Sequence, residues 1–278
     1  RRCVLQDQCI GHAVQQVLFI RHVLVQRHGN NAQLGRKVPH ADRIDALTIG
    51  EGDCGADGTI AGVLYLVTVV TSIAALALKA PALSDPAVLM TTGGQVGLVW
   101  AVVLEMLLLA ACVGTAVVLF PQLRRRDEAA ALGFVGARVI EGAFIALGVV
   151  AMLSLVNVSR GTITSETMVD ATVTIGPAGA ALVALHDAAF LLGPGLIPAV
   201  NALLLGSILY RSRLVPRILP IVGFIGAPLL VASVIATLGG AVDQVSLLAG
   251  LAALPIALWE ISLGVWLVVR GFRSSDEL

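Results

Sequence analysis

The stretch "GLVWAVVLEMLLLAACVGTAVVLF" runs from Gly97 to Phe120 and carries a single charged side chain, Glu105. A helix of that length is about 36 Å long, enough to cross the roughly 30 Å of hydrocarbon in a bilayer. Five other segments have the same character: Thr59–Leu78, Ala130–Val156, Ala178–Tyr210, Ile218–Leu238 and Val245–Val269. None alternates polar and apolar residues as the strands of a membrane barrel do. A helix satisfies all its backbone hydrogen bonds internally, which lipid demands. The pattern therefore predicts an all-α polytopic bundle of six transmembrane helices, with the lipid bilayer as its principal partner.

Composition agrees. Apolar residues make up 57% of the 278 residues and charged residues 13%, and the mean hydropathy is +0.92. A soluble domain is usually about 45–50% apolar and about 25% charged. The net charge is zero, so no global basic field attracts nucleic acid, and no nucleic-acid partner is expected. Cys3, Cys9, Cys54 and Cys112 form no CxxC pair or disulfide framework.

The connections orient the spans. One set of ends carries Arg124, Arg125, Arg126, Arg211, Arg213, Arg217, Arg270 and Arg273; the other has only Lys79 and Arg160, with Asp85, Glu166, Asp170 and Asp243. Basic residues remain on the cytoplasmic side, so both termini are expected in the cytoplasm and the protein in the cell inner membrane. Trp100, Phe120, Tyr210 and Trp266 fall near span ends, where amphipathic rings favour the interface. Two arginine-rich turns also resemble each other: "LFPQLRRRDEAAALGFVGA" from Leu119 and "LYRSRLVPRILPIVGFIGA" from Leu209 align without gaps. A repeat of two hairpins would produce that match.

Residues 1–57 form a separate N-terminal extension, expected to be poorly ordered or amphipathic. It holds His12, His22, His28 and His40 without metal-ligand spacing. The transmembrane domain is expected over 58–273 and a short tail over 274–278.

Lipid-buried charge is expensive, about 2.5–3.5 kcal/mol per central residue even on a mild scale. Glu105, Arg138, Glu141, His186, Asp187 and Glu260 nevertheless lie inside the spans. Arg138 and Glu141 are three apart and share a helix face, beside Gly142, which would admit a neighbouring backbone. Arg138 is expected to pair with Glu141 or Glu260 near the midplane. His186, Asp187 and Glu105 are expected to form a second, more external group. Asp187, Pro194 and Asn201 follow a heptad interval, and the Gly193-Pro194-Gly195 run with Pro198 should bend or open the fourth span. The candidate polar-interior residues are thus Glu105, Arg138, Glu141, His186, Asp187, Asn201 and Glu260.

Three functions follow from such a set. A small carrier or ion-coupled membrane protein would use these groups for a small-molecule or ion ligand. A metal-dependent intramembrane hydrolase would take His186, Asp187 and Glu105 as ligands, although one His among dispersed carboxylates has no diagnostic spacing. A non-catalytic membrane component would use them as structural ion pairs. No GxSxG, HExxH or phosphate-binding glycine loop occurs, no catalytic residue is assigned, and no cofactor is expected.

The chain also resembles a family of bacterial multi-pass integral membrane proteins, the domain of unknown function 4386 family. The resemblance rests on "IAGVLYLVTVVTSI" from Ile60, "LFPQLRRRDEAAALGFVGARVIE" from Leu119, "HDAAFLLGPGLIPAVNALLLG" from His186, "YRSRLVPRILPIVGFIGAPLL" from Tyr210 and "WEISLGVWLV" from Trp259. It covers residues 57–272, implies multi-pass topology and carries over no catalytic residue. Residues 1–56 depart from the family pattern, which marks the extension as an expected upstream artefact of translation or recording.

Overall fold

Seven helices follow from the hydrophobic runs: α1 (Asp53–Ser84), α2 (Thr92–Leu123), α3 (Glu128–Thr164), α4 (Gly176–Leu192), α5 (Ile197–Ser212), α6 (Ile218–Leu238) and α7 (Leu247–Arg270). The structure, a computed structural model, describes residues 53–85, 88–89, 91–164 and 176–272. Helices α4 and α5 together form one apolar unit, so among the described residues six helical units are long and apolar enough to cross a membrane. The fold is the all-α polytopic bundle that the hydropathy predicts. Expectations for residues 1–52, for Glu166 and Asp170 between α3 and α4, and for Arg273 and the tail lie outside the described residues.

Helix ends overrun the predicted spans because neighbouring residues cap or extend them. Thr91 accepts a hydrogen bond from the Gly94 N–H (3.1 Å) at the start of α2, and Asp127 accepts one from Ala130 (3.0 Å) at the start of α3. At the start of α7, Ser246 accepts from Ala249 at 3.3 Å. Helix α1 begins at Asp53, so it takes in the last residues assigned to the extension, and it continues past Leu78 to Ser84. Lys79 is therefore a residue of the first span and not of a loop, a correction that matters below.

The fourth span breaks where its prolines require it. Pro194 has no N–H for the carbonyl of Phe190, and the Gly195 N–H takes that carbonyl instead, at 2.8 Å. Ile197 then bonds back to Gly193 at 3.0 Å, and α5 starts anew. Within the other helices, hydroxyls bond to backbone carbonyls of the preceding turn. Thr68 donates to Tyr65 and Thr115 to Cys112, both at 2.7 Å.

The helices pack in a closed ring. α1 lies against α2, α2 against α3, α3 against both α4 and α5, α5 against α6, and α6 against α7, which returns to α1. Apolar side chains such as Val70, Ile73, Met106, Val117 and Ile235 are exposed on the outer surface, whereas Lys79, Glu105, Arg138, Glu141, His186 and Asn201 are buried. That inversion of the soluble pattern is what lipid solvation dictates. The arginine-rich end is closed by a large apolar cluster that includes Leu119, Leu123, Phe134, Leu209, Leu263 and Leu267. The two matching arginine-rich turns keep their register, with α3 starting at Glu128 and α6 at Ile218, ninety residues apart.

The α1–α7 contact closes the ring and depends on two glycines. A Cβ on Gly62 would lie 2.7 Å from the Gly264 carbonyl oxygen and 2.8 Å from the Val268 nitrogen. A Cβ on Gly264 would lie 3.2 Å from the Gly62 oxygen. This is the close backbone approach that small residues permit in membranes. Gly142, expected to serve that purpose, instead faces the side chains of Val113 and Leu109 at 3.6 and 3.7 Å, where a Cβ would fit. Gly62→Ala should therefore destabilise the bundle by about 1–3 kcal/mol, while Gly142→Ala should be close to neutral. Thermal unfolding of the two purified variants in detergent compares them directly.

Candidate functional site

The buried charges sort into two groups at different heights in the ring. The first is built around Arg138 of α3, whose guanidinium is 1% exposed. Its Nη1 donates to Glu141 Oε2 (3.1 Å) and its Nη2 to Glu260 Oε1 of α7 (3.3 Å). The Asn201 amide of α5 donates to the same Glu141 oxygen at 2.9 Å. Cys112 Sγ of α2 lies 3.8 Å from Nη1. The rings of Tyr65 and Phe134 lie 5.0 and 5.7 Å from the guanidinium carbon, within cation–π range. Arginine suits this position because its planar fork addresses two carboxylates at once.

The second group is built around Lys79, a residue that hydropathy reading placed in a loop. Its ammonium donates to Glu105 Oε1 of α2 and to His186 Nε2 of α4, the latter at 3.1 Å. It also sits 4.5 Å from the centre of the Phe190 ring. His186 stacks on Phe190 and lies 3.1 Å from Asp187 Oδ1 through its other nitrogen. Lys79, Glu105 and His186 are buried; the Asp187 side chain is 51% exposed.

Expected neighbours are rearranged by the break in the fourth span. Asp187 and Asn201 do not share a stripe: the turn at residues 193–196 sends His186 and Asp187 to the second group and Asn201 to the first. Glu105 and His186 do not bond each other directly, because the Lys79 ammonium stands between them. Glu105 and Cys112 share a face of α2 but serve different groups. Among the described residues, no three His, Cys, Asp or Glu side chains come together as a metal site. The Lys79 ammonium stands between Glu105 and His186 Nε2, and Asp187 lies at the other nitrogen of the ring.

Between the two groups lies a small apolar cluster of Leu108, Cys112 and Ile145. Seven residues separate Glu105 from Cys112 on α2, and seven separate Glu141 from Gly148 on α3, so the polar layers are about 10 Å apart. Gly148 belongs to the outer layer, where a Cβ would lie 3.5 Å from the His186 ring and 3.8 Å from Glu105 Oε2.

A cleft of about 550 Å³ opens beside Lys79, His186, Asp187 and Phe190, bounded by Leu76 and Gln244. A second cleft of about 300 Å³ shares Leu76, Phe190 and Gln244 with it and continues along Leu230, Val234 and Ala253. Gln244, in the turn before α7, donates to the Asp187 carbonyl at 3.0 Å and ties that turn to α4. Beneath Lys79 only about 10 Å³ of space remains, against Glu105, Phe144 and Ile145. The cleft thus has a charged floor, and the arginine-rich end beyond is packed shut.

Lys79 could have been found in the sequence. The residues after it, "APAL", remain apolar, so the helix had room for another turn and a half before Ser84. Tyr65 gave no comparable signal, since a tyrosine in a span reads equally well as an interfacial ring.

Removing the guanidinium would strand Glu141 and Glu260 without a counter-charge. Arg138→Ala is expected to lower stability by about 3–5 kcal/mol. Restoration of melting temperature when Glu141→Gln and Glu260→Gln are added to Arg138→Ala would trace the loss to charge and not to packing.

No curated protein and no solved structure matches the chain. A family model described as a domain of unknown function, DUF4386, matches residues 60–271. With most of the six-span bundle inside that match, the chain belongs to the DUF4386 family.

Proposed function

We propose that this protein is a small ion-coupled carrier of a bacterial cytoplasmic membrane, with both termini and the arginine-rich turns in the cytoplasm. The orientation rests on the excess of arginine at one end of the bundle. The substrate cleft then faces outward. One observation carries the functional reading: an open cleft ends on a charged floor, and a second charged layer lies behind a thin apolar barrier. Carriers place binding groups near the midplane between a gate and a sealed face.

The inner layer has the charge balance of an ion site. It counts one guanidinium against two carboxylates, Glu141 and Glu260, all within the bundle. A dry interior disfavours an uncompensated negative charge, so the layer calls for one further cation, of which the proton is the smallest. It also holds buried polar atoms without a hydrogen-bond partner, Arg138 Nε and Asn201 Oδ1. Pairs kept solely for stability would have little use for such atoms, each of which costs free energy when unsatisfied. A polar guest arriving in that layer would meet donors and acceptors already in place. The hydrolase reading, by comparison, lacks a ligand set among the described residues.

Liposomes loaded with a pH-sensitive dye, and given a potassium diffusion potential, measure proton entry through the purified protein. Wild-type protein should conduct above protein-free vesicles. Glu141→Gln should reduce that flux by an order of magnitude while the protein remains folded. Flux unchanged by Glu141→Gln and by Glu260→Gln, with only melting temperature altered, would overturn the carrier reading in favour of structural ion pairs.

A further inference from the structure

The outer layer has a property that the carrier reading does not require. An ammonium has only donors, so the 3.1 Å contact between Lys79 and His186 makes Nε2 the acceptor. An accepting Nε2 leaves the ring's proton on Nδ1, 3.1 Å from Asp187 Oδ1, where it is donated to the carboxylate. The four groups form one line with a fixed sense: Lys79 donates inward to Glu105 and outward to His186, and His186 donates outward to Asp187. Its inner end is buried; its outer end, Asp187, is half exposed at the cleft.

We propose that Asp187, His186 and Lys79 form a proton wire that empties the buried ammonium into the cleft and so releases the Lys79–Glu105 pair that floors it. This inference rests on the carrier reading and names its coupling ion. The step balances in place. One Lys79 N–H bond breaks and an N–H bond forms at Nε2. The Nδ1–H bond breaks and an O–H bond forms on Asp187. Lys79 becomes a neutral amine, Asp187 a neutral acid, and His186 stays neutral in its other tautomer. Asp187 then yields its proton to water in the cleft.

The consequence for the floor is electrostatic. A charged Lys79 attracts the Glu105 carboxylate and lies over the Phe190 ring. A neutral amine loses the charge in both attractions and keeps only ordinary hydrogen bonds, which loosens the tie that Lys79 makes from α1 to α2 and α4. The groups that face His186 are few. α1 offers Lys79, α4 its own Asp187, and α2 offers Glu105 across the Lys79 ammonium. α3 offers only the uncharged Gly148, and the turn before α7 offers Gln244, next to the exposed Asp243. Among these, only Asp187 presents an acid at the cleft within reach of the ring.

Two measurements test the wire on the full chain in lipid. Nitrogen-15 spectra of protein labelled at histidine, with His186 assigned by subtraction of a His186→Gln sample, should give a protonated Nδ1 and a bare Nε2. A bare Nδ1 with a protonated Nε2 overturns the proposal. In the dye-loaded liposomes, His186→Gln should abolish proton flux as fully as Glu141→Gln does, and Asp187→Asn, a change at a half-exposed site, should slow it severalfold with melting unchanged. Flux lost in Glu141→Gln but intact in both His186→Gln and Asp187→Asn would sink the wire and leave the carrier standing. A wild-type protein that moves no protons would remove both.

Discussion

Charge without water must find opposite charge, and in this bundle that rule decides which helix neighbours which. Arg138 joins α3 to α7 through Glu260, and Glu141 accepts from Asn201 of α5. Lys79 joins α1 to α2 through Glu105 and to α4 through His186. Apolar contact alone gives little orientation inside a membrane, because lipid tails are as apolar as the helices. The polar ties supply the missing register. The glycine crossing of Gly62 and Gly264 then lets the last helix seat against the first.

The proline break does more than bend a helix. It divides one hydrophobic unit into α4, which serves the outer polar layer with His186, and α5, which serves the inner layer with Asn201. A continuous helix would have kept Asp187 and Asn201 on one stripe. The Phe190 carbonyl released by Pro194 is taken up by Gly195. The two layers remain separated by Leu108, Cys112 and Ile145.

The fold was legible because its signal is collective. Twenty or more apolar residues in a row outweigh any local irregularity, and the arginine-rich turns punctuate them. The inner group was legible for a related reason: Arg138 and Glu141 stand three apart on one helix, and a mid-span Glu260 has few cations to meet. The outer group was only half visible. His186, Asp187 and Glu105 stood out inside their spans, but Lys79 was hidden by its position one residue beyond a hydrophobic run. A lysine there reads as the end of a helix, whereas its side chain turns back into the bundle. Asn201 had no partner legible in the sequence, because a heptad count holds only along an unbroken helix. The glycine contact between α1 and α7 was invisible, since nothing in the spacing of Gly62 or Gly264 names its partner.

The location of each counter-charge also bears on how the bundle is built as the ribosome extends it. Arg138 and Glu141 sit on the same helix, so α3 can enter the bilayer already neutralised. Lys79 and Glu105 sit on consecutive helices, so α1 and α2 are best inserted together as a hairpin. Glu260 reaches Arg138 only when α7 emerges, and that same helix brings Gly264 to Gly62. Without α7 the bundle would hold an arginine with half its partners and an unpaired glycine face on α1.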